Sequence, residues 1–116
     1  IFGISFKSFP ENIDTRNSVG LRLGNFLEKQ KLECHYFDKK HKLYNQKKLK
    51  IKIISNLKRI NNYDGVIIVN EHKDFSEMIY NNLSKNISKN KKIIFDTWNN
   101  LDKNVIKNLN WEYYNI

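Results

Sequence analysis

Alanine is absent from this chain, and cysteine, proline and methionine occur once each. The single cysteine, Cys34, cannot close an intrachain disulfide, so no staple holds the fold and a reducing compartment, the cytoplasm, is the expected setting. No Pro-, Gly- or Ser-rich stretch divides the sequence, which argues against an internal flexible linker. No apolar run approaches the ~20 residues that cross a bilayer. The N-terminus has no basic region followed by an apolar core and a small-residue cleavage site. Neither a membrane span nor a cleaved leader is therefore expected.

What is present suits one packed domain. The 116 residues are enough to hide roughly 65% of the unfolded surface. The hydrophobic fraction of 40% and aromatic fraction of 13% set the chain apart from disordered segments. The formal net charge of +9 is compatible with a nucleic-acid, membrane or anionic small-molecule partner. It also follows from composition alone. The chain is crowded with Lys, Asn and Ile and poor in residues with GC-rich codons. Its lysines are scattered through "DKKHK", "QKKLKIK" and "SKNKK" rather than gathered in one tract, as on solvated faces.

The apolar pattern predicts alternating strands and helices. "IFGISF" (1–6), "LECHYFD" (32–38), "YDGVIIVN" (63–70), "KKIIFD" (91–96) and "WEYYNI" (111–116) read as strands. A helix is predicted over 17–31, capped by Asn17 or Ser18, with Val19, Leu23, Phe26 and Leu27 on one face. Gly20 and Gly24 weaken that helix by up to ~1 kcal/mol each relative to Ala, or let it lie close to a strand or ligand. After the lysine-rich connection 39–48, Leu49, Ile53, Leu57 and Ile60 keep helical spacing over 49–60, although "KIKII" also suits a strand. Helices are predicted over 74–83 and around Val105, Ile106 and Leu109. The expected fold is α/β: a three-layer, mostly parallel, five-stranded Rossmann-like sheet with helices on both faces.

In such sheets ligands bind beyond the carboxyl ends of the strands. Lys7, Asn70-Glu71-His72 and Asp96-Thr97-Trp98 all follow strand ends, so this topology gathers them on one edge. Lys7 at the rim either meets an anion, helped by the following helix N-terminus, or solvates the end of its strand. No G-x-G-x-x-G or G-x-x-x-x-G-K-[ST] loop occurs. Cys34 and His35 point to opposite faces of a strand, and with His41 make a poor metal site. Cys34 reads as a small buried hydrophobe, and His72 as a helix cap or, less simply, an acid–base group. Tyr36, Phe37, Tyr44, Tyr113 and Tyr114 among lysines suggest core and rim packing more than stacking on single-stranded nucleic acid.

Three ordered segments resemble one family. "GISFK" followed by "DTRNS", a helix and "ECHYFD" is similar to the start of the C-terminal, UDP-binding domain of the UDP-glucose/GDP-mannose dehydrogenase family. There a G-[LI]-[AST]-F-K strand leads to D-x-R-x-S, a helix and a strand ending in Y-D. "NYDGVIIVNEHKDF" resembles the family's A-D-[AG]-x-[VI] strand with T-x-H/W-x-x-F. "KKIIFDTWNNLD" resembles V-x-F-D-x-R-N-x-L, and "WEYYNI" the F-x-Y-x-G-I ending. The resemblance implies a parent enzyme that oxidises the C6 alcohol of a nucleotide sugar, such as a UDP-sugar, to a carboxylate with NAD. Such reactions supply polysaccharide precursors. The NAD site and the catalytic cysteine would lie in other domains. On this chain it implies no catalytic, cofactor or metal residues, and substrate binding by Phe6, Lys7, Arg16, Asp96 and Trp98. Lys7 would neutralise ligand charge. Asp14, Arg16 and Ser18 would shape the loop at the first helix, and Asp96 the loop after the fourth strand.

Two departures stand out. The segment between Lys7 and Arg16 is about two residues longer than usual. The family's arginine in F-D-x-R falls on Trp98, which cannot form a bidentate phosphate contact but offers a ring for stacking. A non-catalytic domain with a degenerate pocket is therefore the alternative. Residues 1–116 are expected to be one nucleotide-sugar-binding domain, a fragment of a longer dehydrogenase and inert alone as an oxidoreductase. Its expected partners are the nucleotide sugar, the parent's NAD-binding and central domains, and a second copy in a homodimer. A membrane or nucleic-acid partner is not expected.

Overall fold

The computed structural model describes residues 1–4, 17–39 and 49–116. The chain divides into two compact units, Ile1–Asn56 and Leu57–Ile116. Phe6, Lys7, Asp14, Arg16, His41 and Tyr44 lie outside the described residues, as does most of the lysine-rich connection.

In the first unit, helix α1 (Val19–Lys29) starts at Ser18, whose side-chain oxygen accepts the Leu21 N–H at 3.1 Å. That satisfies one of the helix's free donors. The residue before it, Asn17, takes a positive φ of 56°, a conformation asparagine tolerates better than most residues. Strands β1 (His35–Tyr36) and β2 (Lys52–Ile53) pair in parallel, and Phe2 bridges Phe37 in parallel on the other side of β1. Ile4, Cys34, Tyr36 and Ile53 form the buried core, with Leu21, Leu27, Leu49 and Ile51 packed against it. Cys34 is thus the small core residue expected, and burial pushes its thiol above the ordinary value.

The buried line of α1 differs from the expected one. Val19 and Phe26 are 52% and 59% exposed, whereas Gly20 and Gly24 are buried. The cause is Tyr36, which is 1% exposed. Its ring occupies the space a side chain at Gly24 would fill: a Cβ there would lie 1.7 Å from the phenol oxygen. The helix therefore turns Gly24 to the strand, with Leu21 and Leu27 packed on the same core, and leaves Val19 and Phe26 outward.

The helix predicted over 49–60 is also corrected. Lys52–Ile53 is strand β2, and only a short 3-10 turn, Ile60–Asn62, follows. The Ile54 N–H donates to the Tyr36 carbonyl at 2.8 Å. Pairing with β1 outweighs the helical spacing, and isoleucines suit a strand. The spaced residues also belong to different units: Ile53 packs in the first core, while Leu57 and Ile60 are buried in the second.

The second unit carries β3 (Gly65–Ile68), α2 (Phe75–Tyr80), β4 (Ile93–Asp96), α3 (Lys103–Asn108) and β5 (Glu112–Asn115). The strands form a parallel sheet in the order β3-β4-β5. One face alternates Val66, Ile68, Ile94, Asp96 and Tyr113, all buried; Phe75 and Ile79 of α2 and Ile106 of α3 are buried too. The parallel α/β class is as expected. The structure presents it as sheets of two and three strands, and does not show a five-stranded, three-layer sheet. No helix among the described residues is long and apolar enough to cross a membrane.

Gly24→Ala is expected to destabilise the protein by about 1–3 kcal/mol in urea unfolding. Overpacking against Tyr36 outweighs alanine's helix preference of up to ~1 kcal/mol. Burial, with Glu28 adding to it, holds the Tyr36 phenol up at about 12 against an ordinary 10. The folded state thus binds this proton more tightly than the unfolded state does. The resulting stability is complete below pH 10 and is lost as pH rises through about 12. Tyr36→Phe should flatten that part of the stability-against-pH curve.

Candidate functional site

Parallel pairing brings the carboxyl ends of β3 and β4 to one edge, with Ile68 opposite Asp96. Asn70 follows the first of these strands and Trp98 the second. The two strand-end segments predicted to share a rim in this unit therefore do so.

Asp96 organises that edge. It has no exposed surface, and such a carboxylate must find donors. Its Oδ1 accepts the Trp98 N–H and the Asn100 side-chain N–H, both at 3.1 Å. Its Oδ2 accepts the Leu101 N–H and the Tyr113 O–H, both at 2.9 Å. The Tyr113 hydroxyl also lies 3.2 Å from the Leu101 carbonyl. Burial, then the carboxylate beside it, pushes the Tyr113 phenol well above its ordinary value, so it stays a donor. With its oxygens occupied in this way, Asp96 acts on the loop that follows it.

That loop is fixed from three sides. The Thr97 N–H and hydroxyl both donate to the Ile68 carbonyl, at 3.1 and 3.0 Å. The Trp98 indole N–H donates to the Val69 carbonyl at 2.9 Å. Asn99 takes a positive φ of 53° and its side-chain oxygen accepts from Asn115 of β5. Beyond the loop, Asp102 caps α3 by accepting the Asn104 and Val105 N–H groups. The loop thus engages the carbonyls of Ile68 and of Val69 just beyond β3, while Trp98 remains 54% exposed.

The first unit repeats the device. Asp38, at the end of "YFD", is buried, and its Oδ2 accepts the Ile4 N–H at 2.8 Å. It anchors the backbone two residues before Phe6 in sequence. The signal for this was the sequence ending itself, "YFD" at 36–38 and "IFD" at 94–96. Both aspartates look like strand-end polar residues until the fold buries them.

Other candidates resolve into structural roles. His72 is buried, its Nδ1 accepts the Asp74 N–H at 3.2 Å, and its ring stacks on Phe75 at 4.7 Å. It caps the entry to α2. Tyr36, Phe37 and Tyr113 are buried in packing and present no stacking surface; Tyr114 is exposed, its hydroxyl donating to Glu112. Among the described residues no group of three His, Cys, Asp or Glu side chains could hold a metal ion. Of the expected binding residues, Asp96 and Trp98 meet at this edge, and Phe6, Lys7 and Arg16 lie outside the described residues.

An α/β unit with parallel strands and an ordered loop over its strand ends belongs to the class of architecture in which ligands bind at that edge. The model of the UDP-glucose/GDP-mannose dehydrogenase family, UDP binding domain, matches residues 1–103, and the chain belongs to that family. No curated protein and no solved structure matches it.

Asp96→Asn opposes an amide N–H to backbone donors and is expected to cost about 1–3 kcal/mol or more for the donors left unpaired. Tyr113→Phe removes one donor of four and should cost only about 1 kcal/mol. Urea unfolding ranks the two. A red shift of Trp98 emission in Asp96→Asn alone would show that the carboxylate holds the loop.

Proposed function

We propose that this chain is the nucleotide-sugar-binding domain of an NAD-dependent dehydrogenase that oxidises a UDP-sugar or related nucleotide sugar at C6. The family match over residues 1–103 carries this conclusion, and the ordered strand-end loop supports it. In this proposal Phe6 and Lys7 line the pocket, with Lys7 facing the diphosphate and its stem packing on the sheet. Arg16 supports the neighbouring loop. Asp38 and Asp96 position the segments that carry these residues, and Trp98 faces the ligand. The NAD site belongs to the parent's other domains: this sequence has no G-x-G-x-x-G turn, and its residues are assigned binding roles alone. The parent is a cytoplasmic homodimer that makes polysaccharide precursors.

A second reading rests on Trp98, which stands where the family's arginine, the one that reaches the bound nucleotide sugar, falls. On that reading the domain has the fold but a degenerate pocket and serves as a non-catalytic interaction module. The coding sequence upstream of Ile1 separates the two: a G-x-G-x-x-G strand–helix and a later G-x-C segment accompany an enzyme. In calorimetric titrations of the full-length protein with UDP-sugars, Lys7→Ala is expected to weaken binding about tenfold or more, the scale of a charge-assisted contact. Unchanged affinity would remove Lys7 from the site.

A further inference from the structure

Trp98 combines a fixed position with an exposed ring. The residue is held at its backbone and at its ring: the backbone N–H donates to Asp96 at 3.1 Å and the indole N–H to the Val69 carbonyl at 2.9 Å. Yet 54% of the residue is open to solvent. An exposed tryptophan can satisfy its N–H with water and keep its rotamer freedom. Here that freedom is already given up, which lowers the entropic cost of any contact the ring makes. The single polar atom of the side chain is engaged by the Val69 carbonyl, so what the exposed part of the ring offers a ligand is aromatic carbon surface. The ring also stands at the carboxyl edge of a parallel sheet, where ligands of such sheets bind.

We propose that Trp98 is a preorganised stacking platform for the base of a nucleoside diphosphate. This rests on the nucleotide-binding function proposed above and adds how the base is held. A platform whose donor is spent on Val69 recognises a flat aromatic surface and does not read its hydrogen-bonding edge. Trp98 therefore contributes affinity for the base of UDP and none for the diphosphate. Specificity among bases has to come from other residues.

The test is fluorescence and calorimetric titration of the full-length protein with UDP, UMP and inorganic pyrophosphate. Trp98→Leu is expected to weaken UDP and UMP about 5- to 100-fold, the range for one base–aromatic stack, and to leave pyrophosphate unchanged. Trp98→Phe keeps a face but not the N–H, and should retain UDP affinity within about threefold of the parent. UDP should quench Trp98 emission, while Trp111, 2% exposed, stays unquenched. Equal UDP affinity in wild type and Trp98→Leu overturns the platform and leaves the nucleotide-binding function standing. Parallel loss of UDP and pyrophosphate in both variants also overturns it, because the residue would then act only through its loop. Absence of UDP binding to the wild-type protein overturns the function itself, and the platform with it.

Discussion

The Asp96 carboxylate is the group on which the candidate site depends. It is removed from water at the end of a central strand, where an unsatisfied charge would be far more costly than a neutral residue. The donors that satisfy it are two loop amides, the Asn100 side chain and the Tyr113 hydroxyl. These partners come from the following loop and from the neighbouring strand. A single buried group thus converts the segment after β4 into a structured loop and links it to β5. Asp38 does the same on a smaller scale, holding the Ile4 amide beside β1.

In each unit an aspartate orders a strand end without a glycine-rich phosphate loop. Backbone N–H groups that a glycine loop would offer to a ligand are here directed to carboxylates. Under the proposed function, recognition at the second unit's strand end falls to a side chain, the Trp98 ring. Asn99 absorbs the one left-handed turn of the loop, a role asparagine fills because its short polar side chain tolerates it. That side chain is further engaged by Asn115.

Gly24 and Tyr36 illustrate the same economy in the first unit. A helix of moderate intrinsic stability gives up favourable residues on its inner face so that a large aromatic can fit beneath it. The stabilisation comes from burying Tyr36, Ile4 and Ile53 together, and tertiary packing of this kind usually outweighs helix propensity.

Much of the chain was legible because local physics agreed with the final fold. The β-branched runs at 65–68 and 93–96 became strands, Ser18 became a cap, and ordered motifs marked the family. The 49–60 segment was misread because leucine and isoleucine at helical spacing look alike whether they serve one helix or two separate cores. The exposed face of α1 was misread because hydrophobicity cannot show that Tyr36 will claim the place opposite Gly24. By itself the sequence determined the α/β class, the parallel pairing of strands and the family. Tertiary structure alone decided that Asp96 is buried and satisfied by its loop and Tyr113, and that Trp98 is held through its indole N–H while half of it stays exposed. Tyr113 reaches Asp96 from β5, and the Val69 carbonyl that accepts the Trp98 indole N–H lies just after β3; no local pattern encodes that convergence.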